Sequence, residues 1–268
     1  MTETQETAGH MLRRWRRHRR LSQLDLATET DISQRHLSFL ESGRSRPSRD
    51  MVMHLTEFLD VPLRERNAIL TAAGFAPHYP QHELKAPELS AANAVIERIL
   101  QGHLPHPALA VNRHWELLAA NKAVFAMLDG IAPHLLEGTV NVLRLSLHPE
   151  GLAPRILNLA EWRTHILARL AHEIDRSADP ALAALRNELE AFPVENGTGT
   201  RSAADPVDNR IAVPLRFKGP SGPLNFLSTT TVFGTAVDVT LSEIAIEAFF
   251  PEDEETAQTM TALAARKA

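Results

Sequence analysis

The chain has 268 residues, no cysteine, 44% hydrophobic residues and a formal charge of −5. That length exceeds one small helical unit and allows two domains, while the missing thiols exclude disulfides and thiolate metal sites. No apolar run reaches the length of a bilayer span. The polar, then arginine-rich start gives no reason to expect a secretory leader, so a cytoplasmic protein with no membrane association is expected. The charge is uneven: residues 1–50 hold ten basic and seven acidic side chains, and the rest of the chain is acidic. A basic stretch in an acidic chain is the footprint expected of a nucleic-acid contact.

In chain order, His10–Arg20 (HMLRRWRRHRR) is predicted to be a basic helix. Leu12 and Trp15 would face a core, with arginines over the rest of the cylinder. Leu21–Gly43 (LSQLDLATETDISQRHLSFLESG) then predicts two short helices around a tight turn. Ser22 would cap the first, with Asp25 completing a capping box, and Leu24, Leu26 and Ala27 would form its apolar side. Asp31 would take the left-handed position of the turn. Ser33 would cap the second helix, Gln34–Glu41, with Leu37 and Leu40 inward and Gln34, Arg35, Ser38 and Phe39 outward. Gly43 would stop it. Ser48 caps a fourth predicted helix with Met51, Val52, Leu55, Phe58 and Leu59 on one face. Pro62 opens a fifth, running to Gly74 with Leu63, Ile69 and Leu70 for the core.

The residues Leu21-Ser22-Gln23, Leu26-Ala27, Ile32-Ser33, Leu37-Ser38, Glu41, Gly43-Arg44 and Pro47-Ser48 resemble the helix-turn-helix of phage repressors, Cro proteins and the xenobiotic-response-element (XRE) regulators. The resemblance implies an all-α, five-helix DNA-binding domain over residues 1–76, whose second motif helix enters the major groove. Gln presents a donor and an acceptor that match an adenine edge, and Arg matches guanine. Gln34 and Arg35 are therefore the expected base readers, with Ser33 and Ser38 in support and Phe39 near a thymine methyl or a sugar. Arg13, Arg44 and Arg46 are expected phosphate contacts. Gln23 occupies the position that holds a phosphate in the resembled family.

Residues 77–90 are rich in proline, lack apolar periodicity and read as a linker. The remainder, 91–268, mixes helix and strand. Helices are predicted over Ala91–Gln101, after Asn121 as a cap, over Leu159–Asp175 and over Ala181–Phe192. Strands are predicted over Ala108–Val111, Trp115–Ala120, Arg210–Phe217, Leu224–Gly234 and Val239–Phe250, and Glu195–Asp208 reads as a polar loop. In the last strand Ser242, Ile244, Ile246, Ala248 and Phe250 would share one face, with Glu243 and Glu247 on a wet side. An α+β domain results, with an antiparallel sheet of about five strands and helices on one side.

That order is similar to a PAS-like sensor fold. Pro107–Trp115 (PALAVNRHW) with Asn121, Asn141–Arg144 (NVLR), His148–Leu152 (HPEGL), Asn158 with Trp162, and Leu227–Thr231 (LSTTT) resemble the ligand-binding domain of the MmyB-like transcription regulators. The resemblance implies a pocket for a small apolar ligand such as a fatty acid. Trp115, Phe125, Trp162 and Phe226 could wall it, and Asn121, Asn158 and Arg163 could supply polar ends. The same residues also fit plain core, cap and turn roles.

No cofactor or metal is expected. His103 with His106, and His165 with His172, lack the carboxylate spacing of a metal motif, and no phosphate-cradling loop or nucleophile elbow occurs. Asp205 and Asp208 near Arg210 read as turn chemistry. The expected function is a non-enzymatic, sequence-specific transcriptional regulator that reads a double-stranded operator as a homodimer under control of a small ligand. Alternatives are a second domain that only dimerises or binds a protein partner, and an enzyme tethered to DNA.

Overall fold

The computed structural model describes residues 6–128, 130–193, 212–219 and 222–266. The polar segment 195–208, with Asp205, Asp208 and Arg210, lies outside them. The chain divides into two compact units: Met1–His82 with Asp175–Ala178 and Thr235–Ser242, and Glu83–Ile174 with Asp179–Gly234 and Glu243–Ala268.

The first unit carries α1 (Ala8–His18), α2 (Gln23–Glu29), α3 (Gln34–Glu41), α4 (Arg49–Phe58) and α5 (Leu63–Ala72). Four of them start at a side-chain cap: Thr7, Ser22, Ser33 and Ser48 each accept the N–H three residues on. Ser22 and Asp25 form the reciprocal capping box, and these hydrogen bonds hold the Asp25 carboxyl below its usual range. Asp31 adopts φ +53° in the turn and Gly43 adopts φ +74° after α3, as their residue types predict. Pro62 stands one position earlier than expected, at the N-cap of α5.

Trp15, Leu12, Leu26, Leu37, Leu40, Val52, Leu55, Ile69 and Leu70 build the core of this unit. Two residues assigned to apolar faces depart from expectation, Leu24 being 57% and Phe58 40% exposed. Leu24 sits two residues, about 200° of helix, from buried Leu26. Phe58 is turned about 100° from Leu59. The buried face of α4 is instead Val52, Leu55 and Thr56.

In the second unit, α6 (Ser90–Gly102) leads into β1 (Ala108–Val111), β2 (Leu117–Ala120) and α7 (Lys122–Phe125). Then follow α8 (Val142–Leu147), α9 (Leu159–Ser177), α10 (Pro180–Ala191), β3 (Leu215–Lys218), β4 (Pro223–Val232), β5 (Ala245–Pro251) and α12 (Glu254–Arg266), while α11 (Val239–Ser242), which lies between β4 and β5 in the chain, and the end of α9 from Asp175 belong to the first unit. The strands form one antiparallel five-stranded sheet in the order β2-β1-β5-β4-β3. The α+β architecture and strand count agree with the sequence reading.

Three details differ. Val239–Ser242 is a helical turn, so β5 starts at Ala245. Trp115 precedes β2 with φ +64° rather than opening it as a strand residue. The sheet is also not wet on one side at its centre. Leu109 and Val111 of β1 join the main core, while Ala108 and Ala110, on the opposite face, are equally buried. Their small side chains let α6 lie close to β1, bringing buried Ile96 and Leu100. Glu247, expected in water, is only 4% exposed. The β4 segment Thr229–Val232 is exposed.

Gly9 carries a steric constraint that the sequence did not signal. A Cβ there would lie 2.0 Å from the Leu40 carbonyl oxygen, so only hydrogen lets α1 touch the α3 backbone. Gly9→Ala is expected to cost about 1–3 kcal/mol, as overpacking does. Urea denaturation should show a lower midpoint at unchanged slope; a wild-type midpoint would refute the close-approach argument.

Candidate functional site

The exposed surface of α3 presents the expected reading groups. Ser33, Gln34 and Arg35 are exposed at its N-terminal turn, and Ser38 and Phe39 are half-buried. Arg35 lies 5.4 Å from the Phe39 ring centroid and Arg44 lies 5.9 Å from it, so the aromatic ring spaces two cations. Arg13, Arg44 and Arg46 are exposed. The structure thus gathers Ser33, Gln34, Arg35, Ser38, Phe39 and Arg44 on one helix and its exit.

Arg16 of α1 and Arg19 at its C-cap are drawn into contacts within the unit. Arg16 is 7% exposed and Glu41 1% exposed. Arg16 Nε donates to Glu41 Oε1 at 2.6 Å and Nη2 to Oε2 at 2.8 Å, a bidentate pair tying α1 to α3. Its Nη1 donates to the Leu21 carbonyl at 2.7 Å. Arg19 donates to the Leu59 and Asp60 carbonyls at 2.8 Å each, closing the end of α4. Gln23, expected at a phosphate, donates its Nε2 to Glu41 Oε2 at 2.8 Å and is half-buried. The reason is electrostatic: a buried carboxylate needs its remaining lone pairs satisfied.

The second unit encloses an apolar cavity of about 290 Å³. Trp115, Leu117, Phe125, Leu143, Trp162, Ile166 and Phe249 are among its walls, and exposed Phe125 and Leu136 stand at its rim. Three expected ligand residues line it: Trp115, Phe125 and Trp162. The other four do not. Asn121 is fully buried and structural, accepting Ala108 N–H at 3.3 Å and donating to the Leu100 and His106 carbonyls at 3.0 and 2.8 Å. Nor does its side chain cap α7. Asn158 bridges Glu161, the Pro214 carbonyl and the Arg216 N–H, next to a separate shallow depression. Arg163 is turned to the Leu189 and Glu190 carbonyls at the end of α10. Phe226 is a fully buried core ring.

Sequence reasoning missed the polar groups that do line the cavity: Ser146, His165, Arg169 and Glu247. Arg169 Nη1 and Nη2 donate to Glu247 at 3.0 and 2.7 Å, and Nη2 also to Thr230 Oγ1 at 2.8 Å. Its Nε lies 3.4 Å from Glu173, and its guanidinium lies 4.4 Å from the Trp115 ring centroid. Glu173 in turn accepts Trp115 Nε1 at 2.7 Å. Burial opposes the Arg169 charge, but the Glu247 hydrogen bond and charge outweigh it and keep the guanidinium firmly protonated. Burial pushes the Glu173 carboxyl up despite Trp115 and Arg169. Burial, aided by Arg169, pushes His165 down, so its ring is neutral at pH 7. A signal for part of this existed. Trp162, His165, Ile166, Arg169 and Glu173 recur at helical spacing, placing charges on the apolar face of an amphipathic helix.

Backbone geometry aims these groups. Asn112 accepts His114 and Glu116 N–H at 2.9 and 3.0 Å, and this turn holds Trp115 left-handed. Asn141 caps α8 and donates to the His114 carbonyl at 2.7 Å. Neither histidine pair weighed from the sequence forms a metal cluster among the described residues. There His134, His148 and Glu150 bring ligand atoms within 4.8 Å of one another, but His148 Nδ1 already accepts the Glu150 N–H at 3.1 Å.

A helix-turn-helix unit and, in the same chain, a domain with a lined apolar cavity define a class of two-domain DNA-binding protein. A helix-turn-helix family model matches residues 12–66, and the MmyB-like transcription regulator ligand binding domain matches residues 92–263. The chain belongs to the MmyB-like transcription regulators: it is a DNA-binding transcription regulator with a ligand-binding domain. A search of curated proteins finds no match. Among the described residues no helix is long and apolar enough to cross a membrane.

Arg16→Met leaves Glu41 buried without its cation. The expected loss is about 3–5 kcal/mol, read from urea unfolding of the full chain. The double variant Arg16→Met with Glu41→Leu should recover most of it, because the penalty belongs to the orphaned charge. If the single variant unfolds like wild type, the pair does not hold α1 to α3.

Proposed function

We propose that the first unit reads an operator through α3, with Gln34 and Arg35 at base edges and Ser33 and Ser38 in support. Phe39 would meet a thymine methyl or a sugar. Arg13, Arg44 and Arg46 would position the phosphates, and Gln23, whose Nε2 carries a second N–H besides the one given to Glu41, would add a further contact. The protein would bind as a homodimer on half-sites about one helical turn apart. Its second domain would take a small ligand with an apolar, fatty-acyl-like body, and occupancy would change operator affinity. That requires the ligand to favour one of two DNA-binding states.

The observation that carries this reading is the cavity of about 290 Å³ inside the family's ligand-binding domain. It is about twice the ~150 Å³ of an engineered apolar cavity that binds benzene. Its size also favours a ligand over a domain that only dimerises.

Native mass spectrometry before and after solvent extraction is the direct test. An extra mass that leaves on extraction supports the ligand, and its removal should change operator affinity. No bound mass, and no uptake of any medium-chain compound, would defeat the ligand half of the proposal. Across a homologous series, affinity should rise about fourfold per methylene until the cavity is full, from about 0.8 kcal/mol per buried CH₂. Arg35→Ala should cost about 1–3 kcal/mol and relax discrimination at one base pair. A uniform loss over all sequences would reassign Arg35 to a phosphate.

A further inference from the structure

The polar floor of the cavity argues about the charge of whatever enters it. Among its lining residues only Ser146, His165, Arg169 and Glu247 have polar side-chain groups outside the indole rings. Arg169 is the cation an acidic ligand would seek, and each of its three nitrogens already faces a protein partner. Nη1 and Nη2 hold Glu247 at 3.0 and 2.7 Å, Nη2 also holds Thr230 at 2.8 Å, and Nε lies 3.4 Å from Glu173. The Trp115 ring covers the guanidinium at 4.4 Å. The cluster therefore contains two carboxylates and one guanidinium. A ligand carboxylate would have to displace Glu247 and leave it buried and unpaired, or sit unpaired itself, and both are costly. A ligand ammonium would meet a guanidinium and an uncharged imidazole, with both carboxylates already engaged.

Two uncharged groups remain for a ligand. Among the described residues the His165 ring has no hydrogen-bond partner, and it lies against Trp162 at 5.5 Å between centroids. Burial and the charge of Arg169 keep that ring neutral, so it offers one donor and one acceptor. Ser146 Oγ accepts Trp162 Nε1 at 3.0 Å and retains its own O–H to donate. Both groups adjoin Trp162 and line the same cavity.

We propose that the cavity selects an electrically neutral amphiphile: an apolar chain or ring system ending in a hydroxyl, ketone, ester or amide that hydrogen-bonds His165 and Ser146. The free carboxylate and the ammonium of the same skeleton are rejected by the Arg169–Glu247–Glu173 cluster. This rests on reading the cavity as the ligand site, and it fixes the head group of that ligand.

The test uses the full-length protein and three probes of one chain length, decan-1-ol, decanoate and decylamine, with n-decane as reference. Two of the three tryptophans line the cavity, so tryptophan emission reports binding. At neutral pH decan-1-ol should bind at least about tenfold tighter than decanoate or decylamine. Decanoate binding as tightly as decan-1-ol overturns the head-group proposal and leaves the ligand site standing. Failure of all four probes removes the ligand site, and the proposal falls with it. Glu247→Gln removes the carboxylate that occupies Arg169, so decanoate should gain about tenfold relative to decan-1-ol; an unchanged ratio overturns the proposal. Should that variant not fold, Ser146→Ala gives an independent reading. It should weaken decan-1-ol by about fivefold to tenfold and leave n-decane unchanged; equal effects on both would count against a hydrogen-bonded head group.

Discussion

Arg16 and Glu41 meet through two hydrogen bonds, both side chains nearly out of water, and the rest of the DNA-reading unit is arranged around them. A buried charge is tolerated only when paired and hydrogen-bonded, so the pair fixes α1 against α3 in one geometry. Gln23 satisfies Glu41 further, and the Leu21 carbonyl takes another Arg16 N–H. Gly9 then allows the α1 backbone to touch the Leu40 carbonyl. The exposed turn of α3 is thus carried on a rigid base, which is what a reading element needs to hold its side chains within bonding distance of base edges.

The same physics recurs in the second unit with a different result. Arg169 of α9 is held by Glu247 of β5 and Glu173 one turn on, with Trp115 as cover. This cluster stands at the cavity wall, so it shapes the electrostatics that a ligand meets. Trp115 reaches it because the turn after β1 places that residue left-handed, a conformation a bulky side chain adopts only when its surroundings impose it. Here Asn112 and Asn141 supply the constraint. The result is an apolar cavity in a domain whose family is defined by ligand binding.

The two halves were not equally legible in the sequence. Helix caps are local: Ser22, Ser33 and Ser48 satisfy N–H groups three residues away, and Asp31 and Gly43 meet local φ demands. Short-range rules therefore located α3 and its exposed face. The pocket was harder to read. Asn121, Asn158, Arg163 and Phe226 have the residue types of a ligand site, yet each is committed to carbonyls, N–H groups or core far along the chain.

By itself the sequence determined the helix-turn-helix, the five-stranded α+β class and the outward set on α3, because caps, periodicity and strand propensity act over a few residues. Tertiary structure alone decided which charges are buried. Arg16 finds Glu41 25 residues away, and Arg169 finds Glu247 78 residues away. An arginine on a basic helix and a glutamate on an alternating strand both read as solvent-facing until a partner from another element makes burial cheaper than exposure. That choice depends on desolvation balanced against a bond made across the fold, and no local pattern in the chain encodes it.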